Sequence, residues 1–135
     1  MVDNSAMNRI KYDAVNARLQ PLLEAGLVAT CGAIEIEALY SARNAEHYEK
    51  LRMQRSAILG YVETEESDWQ QALDVQRALA KNSQHRGPRI PDLLIAAVAN
   101  RHSLTLLHYD SDFDRIAQVT GQKVEWVAPR GSLPA

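Results

Sequence analysis

The chain of 135 residues holds a single cysteine, Cys31, so no internal disulfide can form. That suits a reducing compartment and leaves Cys31 to serve as a small buried side chain. No apolar run approaches the roughly 20 residues that a membrane helix needs. A basic-then-apolar leader is missing too, because Asp3 and Asn4 interrupt the start. The expected location is therefore the cytoplasm, with no membrane partner. Several enzyme signatures are also lacking. The histidines (His47, His85, His102 and His108) show no HExxH spacing, and one cysteine cannot supply the CxxC pairs of zinc sites. Neither a GxSxG elbow nor a glycine-rich phosphate loop is found. There is no internal repeat, low-complexity tract or second domain. The formal charge of −2 excludes nothing, since a basic rim can surround an acidic centre.

What remains is an ordinary globular composition, 46% apolar and 24% charged, in one domain able to bury a single core. Short strands are expected at 1–3, 27–31, 61–64, 104–107 and 123–127. With only two residues before Asp3, the first strand is short, as it would be if the native start lay upstream. Helices are expected over 13–24, kinked or restarted at Pro21, and over 33–43, 46–59, 66–82, 91–99 and 112–119. Asn4 and Ser5 read as helix caps, and Ser111 with Asp114 as a capping pair. In the helix over 66–82, Trp69, Ala72, Leu73, Val75, Gln76 and Leu79 are spaced to make one buried face. Trp126 also reads as core. The helix over 91–99 is apolar on nearly every side and should be central. Residues 83–89 form a loop rich in breakers and positive charge, and 129–135 an unstructured tail, so the domain spans 1–128. Alternating strands and helices imply a parallel sheet of four to five short strands covered on both faces, a three-layer α/β/α architecture.

In such sheets, ligands bind beyond the carboxyl ends of the strands. Five carboxylates lie at those edges or at the edges of apolar segments: Asp3, Glu37, Asp92, Asp110 and Asp112. Each has a plain structural alternative. Asp3 can cap a helix, and Glu37 shares its helical surroundings with Glu35, so periodicity does not choose between them. Asp92 can simply oppose a helix dipole. The segment from Asp110 to Asp114 begins like an EF-hand loop, but Arg115 and Gly121 stand where glycine and glutamate are required, which rejects that site. Like charges crowded together are costly unless a divalent cation neutralises them, so convergence of these acids would mean metal-dependent chemistry on a phosphate ester.

Four pieces taken together resemble the PIN-domain nucleases, most closely the VapC toxins of bacterial toxin–antitoxin pairs. They are Val2-Asp3-Asn4-Ser5-Ala6; Glu37-Ala38-Leu39-Tyr40-Ser41-Ala42-Arg43; Arg89-Ile90-Pro91-Asp92-Leu93-Leu94-Ile95-Ala96-Ala97; and His108-Tyr109-Asp110-Ser111-Asp112-Phe113-Asp114. Asn4 stands where that family commonly has threonine, and Ser41 where it commonly has glycine. The resemblance implies a PIN-like fold in which Asp3, Glu37, Asp92, Asp110 and Asp112 form an acidic pocket, and it selects Glu37 over Glu35. Asp3, Asp92 and Asp110 would hold Mg²⁺ or Mn²⁺ directly, with Asp112 a fourth metal-site acid acting directly or through water. The implied activity is endoribonuclease cleavage of transfer, ribosomal or messenger RNA. Ser5, Arg43, Arg86 and Arg89 would contact substrate. A VapB-type antitoxin would neutralise the enzyme, and the toxin would pair as a homodimer. Two rivals stand beside this reading: a phosphoacceptor signalling domain, and a non-catalytic module whose acids serve structure only.

Overall fold

Consecutive strand residues point into different cores. Met1, Cys31 and Leu106 join one cluster with Ile34, Val75, Leu79, Ile95 and Phe113. Val2, next to Met1, and Leu107, next to Leu106, join a second cluster with Val28, Ala6, Val15, Leu19 and Val127. The period of two along a strand thus sends alternate side chains to opposite faces, and helices cover both. This is the three-layer arrangement expected from the sequence.

The computed structural model describes residues 1–134. In chain order the elements are α1 (Asn4–Met7), α2 (Asp13–Glu24), β1 (Ala29–Thr30), α3 (Gly32–Tyr40), α4 (Ala45–Ile58), β2 (Gly60–Tyr61), α5 (Glu66–Ala80), α6 (Ile90–Arg101), β3 (Leu106–His108), α7 (Ser111–Thr120) and β4 (Val124–Trp126). Pairing is parallel throughout. Ala29 faces Gly60, and Leu106, Leu107 and His108 face Val124, Glu125 and Trp126. The first residues run beside β3: Leu107 N–H donates to Met1 O and Asp3 N–H to Leu107 O, both at 2.9 Å. Among the described residues the ladders therefore form two separate parallel pairs, β1 with β2 and β3 with β4, with a bridge from Val2 to Leu107 added beside β3, more broken than a continuous sheet.

Several local expectations are corrected. Strand β2 begins at Gly60, one residue before the expected 61, because the Gly60 N–H donates to Val28 O across the ladder. Asp3, not Asn4 or Ser5, caps α1 by accepting from Ser5 N–H, and Asp110, not Ser111, caps α7. Helix α2 runs unbroken through Pro21. On α5 the buried positions are Asp68, Ala72, Val75 and Leu79, whereas Trp69 and Leu73 are 45% and 56% exposed. The stripe is rotated by one position because an acid heads it. Trp126 is only half-buried.

Asp68 tolerates that burial because Arg101 at the end of α6 grips it through Nε and Nη2, at 2.9 and 3.1 Å. Burial alone pushes this carboxyl up, but the Arg101 hydrogen bond and the Glu65 N–H outweigh it and hold its pKa below the usual value. Arg101→Met should lower the midpoint of unfolding in urea titration, since it leaves the buried Asp68 carboxylate without its partner. Unchanged stability would show that Asp68 finds another partner.

The helix that matters most for the site is α6. From Asp92 to Ala99 every side chain is buried, as its apolar sequence predicts. Pro91 suits its first turn, where no N–H is required. Because α6 is packed all round, the acid in its first turn is held at a fixed place.

Candidate metal centre

Asp92 is 6% exposed and accepts the Arg89 N–H at 3.0 Å, closing the first turn of α6. Asp110 follows β3, and its Oδ1 accepts the Asp112 N–H at 2.9 Å, which fixes the turn into α7. Asp112 then lies in the first turn of α7. The result is convergence: Asp92, Asp110 and Asp112 each present a carboxylate oxygen, and the three atoms lie within 4.8 Å of one another.

Asp3 is buried at the end of the Val2 bridge, its Oδ2 accepting Ser5 N–H at 2.9 Å. It stands outside that tight triad, yet its charge bears on both Asp92 and Glu37. Burial, then the charges of Asp3 and Asp110, push the Asp92 carboxyl from 3.8 up to about 6, against the opposing pull of the Arg89 N–H and guanidinium. Burial and Asp3 likewise raise Glu37. Asp92 and Glu37 thus resist ionisation, chiefly because they are buried and then because Asp3 lies near.

Helix α3 separates its two glutamates by role. Glu35 is clasped by Arg55 through both oxygens, each at 2.8 Å, so it belongs to a structural ion pair linking α3 to α4. Burial raises its pKa, but the hydrogen bonds from Arg55 and Thr30 overcome that and leave it lowered. Glu37 has no such clasp and lines a cleft of about 320 Å³ with Asn4, Asn8 and Ser41.

The basic residues divide as well. Arg89 is exposed, and its charge lowers both Glu37 and Asp92, which places it at the rim of the acidic group. Arg43 and Arg86 are exposed, and among the described residues no ion pair joins either to these acids. The Ser5 hydroxyl accepts the Tyr109 N–H at 2.9 Å, tying α1 to the segment after β3.

A family model described as PIN domain matches residues 1–119. The chain belongs to the PIN-domain family. Within that family the similarity is to VapC proteins. It is 45% identical over 132 residues to Ribonuclease VapC21 of Mycobacterium tuberculosis, covering 98% of this chain and 96% of that protein. It is 44% identical over 133 residues to Ribonuclease VapC51 of the same organism, with the same coverage. Two solved structures share the fold. VapBC-1 from nontypeable Haemophilus influenzae superposes with a TM-score of 0.75 at 15% identity, over 94% of this chain and 96% of that one. VapBC2 from Rickettsia felis, bound to a DNA fragment from its promoter, gives 0.73 at 19% identity, over 93% and 96%.

Three further residues bear on this PIN domain's acidic group and were not singled out from the sequence. His108, the last residue of β3, is fully buried, and its Nδ1 accepts the Asp110 N–H at 3.1 Å. The proton therefore sits on Nε2, which has no hydrogen-bond partner and lies 3.6 Å from Asp114 Oδ1. Burial holds its pKa below the usual value, against the raising charges of Asp114, Asp3 and Asp110. Arg115 pairs with Asp112 one turn along α7, a spacing that an i, i+3 search would have found. Gly87 lies so close to the centre that a Cβ there would sit 3.1 Å from Asp112 Oδ1.

Proposed function

We propose that this PIN domain is the endoribonuclease toxin of a VapBC pair, cutting RNA with Mg²⁺ or Mn²⁺ and neutralised by a VapB-type antitoxin. The observation that carries the reading is the convergence of Asp92, Asp110 and Asp112 in a chain of this family. The donor set fits such an ion. Hard divalent cations prefer carboxylate oxygen, and this site brings three such oxygens within 4.8 Å of one another.

In this reading Asp92, Asp110 and Asp112 hold the metal, and Asp3 completes the acidic wall. A divalent ion held there lowers the pKa of an attacking water and offsets phosphate charge. Glu37, outside the triad and free of an arginine clasp, orients the water. The Ser5 hydroxyl spends its lone pair on Tyr109 N–H, which leaves its proton for a phosphate oxygen. Arg89 at the rim, with Arg43 and Arg86 further out, offsets repulsion between the acids and RNA. In-line attack leaves a 5′-phosphate and a 3′-hydroxyl. Transfer, ribosomal and messenger RNA all suit this chemistry. The cytoplasm, where such RNA is found, is the compartment proposed.

Partner binding has its own support. Helix α4 buries no residue fully, and Ile36, Tyr40, Met53 and Ile58 on α3 and α4 are exposed. Leu39, Tyr40 and Tyr48 line a shallow cleft there. Apolar surface of this kind is usually covered in assembly, here by the antitoxin and by a second toxin copy.

The deciding experiment is RNA cleavage by the purified protein with Mn²⁺ or Mg²⁺ and again with EDTA. Cleavage is expected only with the metal, leaving 5′-phosphate ends. Cutting that EDTA leaves untouched would rule out the metal mechanism. No cutting of any RNA would favour the non-catalytic or signalling rivals. A companion pair of variants tests the support of Asp110. His108→Asn keeps an acceptor for the Asp110 N–H, whereas His108→Leu removes it. The leucine variant should bind Mn²⁺ about tenfold more weakly and the asparagine variant near normally, by calorimetry.

A further inference from the structure

Beside Asp110 and Ser111 opens a second cleft, of about 400 Å³, whose walls carry Arg9, Tyr109, Trp126 and Arg130. Tyr109 and Trp126 meet edge to face, with ring centres 5.3 Å apart. Both rings are pinned at their polar ends. Trp126 Nε1 donates to Asp114 Oδ2 at 3.0 Å, and the Tyr109 hydroxyl accepts Leu133 N–H at 3.1 Å. A guanidinium lies over each ring: Arg9 is 4.5 Å from the Tyr109 centroid and Arg130 is 5.7 Å from that of Trp126. Arg9 is steadied further by donating to Ser5 O at 2.7 Å.

Among the described residues neither arginine is within ion-pair reach of a carboxylate, in contrast to Arg18, Arg55, Arg101 and Arg115. Stacking on an aromatic face costs an arginine none of its charge and leaves N–H groups at its edge for an anion. Two pre-oriented guanidiniums without carboxylate partners, at the mouth of an acidic centre, are what a polyanion needs to approach that centre. We propose that this cleft is an RNA-backbone subsite, in which Arg9 and Arg130 grip the phosphodiester next to the one being cut. The proposal rests on the ribonuclease reading above and extends it to residues that reading does not use. Phosphate contacts position a strand without reading its bases, so the subsite contributes equally to every RNA the enzyme accepts.

The test uses binding of a fluorescent single-stranded RNA to the full chain carrying Asp92→Asn, with Arg130→Gln, Arg9→Gln and both added to it. Arg130 is exposed and lies beyond the last strand, with its guanidinium over the Trp126 ring, so its variant should fold even if that of Arg9 does not. Each substitution should raise Kd about fivefold, the double about 20-fold, alike for RNAs of different sequence. The slope of log Kd against log salt should fall by about 0.7 per lost contact. Wild type that cuts RNA, with Kd and slope unmoved in Arg130→Gln and in the double variant, would overturn the subsite and leave the ribonuclease standing. Wild type that neither binds nor cuts RNA overturns both.

Discussion

Asp92→Asn should abolish RNA cleavage while making the metal-free protein harder to unfold. The activity loss is expected to be at least about a hundred- to a thousandfold, the scale for removing a principal electrostatic group. The stability gain follows from the buried carboxyl. Its pKa is raised from 3.8 to about 6, so at pH 7.5 the fold carries an ionised group that the unfolded chain ionises more easily. That difference costs the folded state on the order of 3 kcal/mol, which the neutral amide would not incur. The asparagine oxygen can still accept the Arg89 N–H that closes the helix. Cleavage of a labelled RNA, with urea unfolding in EDTA, measures both effects. A variant that is inactive because it is unstable would point to a structural acid, and an active variant would remove Asp92 from the chemistry.

The second large effect joins metal to pH. Between pH 3.8 and about 6 the folded protein holds a proton at Asp92 that the unfolded chain has released, so stability from this group is full below that window and is lost as pH rises through it. Asp68 and Glu35, whose pKa values are lowered, act oppositely, and their contribution disappears only in stronger acid. Relative to Asp92→Asn, which cancels the other titrating groups, the metal-free Tm of the wild type should therefore fall as pH rises from 3.8 toward 6. Mn²⁺ reverses the decline, because the ion and the proton compete for the same oxygens. At a hundred times its Kd the ion adds about 2.7 kcal/mol. Thermal melts with and without Mn²⁺ at pH 5 and 7.5 should show the larger shift at pH 7.5. Equal shifts at the two pH values, or none, would mean that these carboxylates are not the ligands.

Most of the architecture was legible because it depends on short-range rules. The buried run from Leu93 to Ala99, the cap region at 110–114 and the strand–helix alternation all follow from local pattern. Failures came where a polar residue took part in packing. Asp68 heads the buried stripe of α5 only because Arg101, more than 30 residues away, is there to receive it. A reader who sets acids outside the core places that helix one position out of phase. At the centre, Asp92 and the Asp110–Asp112 turn could be named from the sequence, but their convergence depends on how α6 meets β3. The separation of Glu35 from Glu37 is similar. Identical local surroundings hid it, and Arg55 on the following helix decides it. His108 shows no ligand spacing in the sequence, and its role is visible only once its acceptor nitrogen is seen taking the Asp110 N–H.

The close approach at Gly87 links the basic loop to the acids. Even a methyl group there would press on Asp112 Oδ1, with the Arg115 guanidinium just behind it. Backbone, rather than a mobile side chain, therefore forms that flank of the centre. A substitution at position 87 would be felt first as a shift of a few tenths of an ångström in the Asp112 carboxylate, so this stretch of loop is coupled to the acidic group by lack of space rather than by any group it donates.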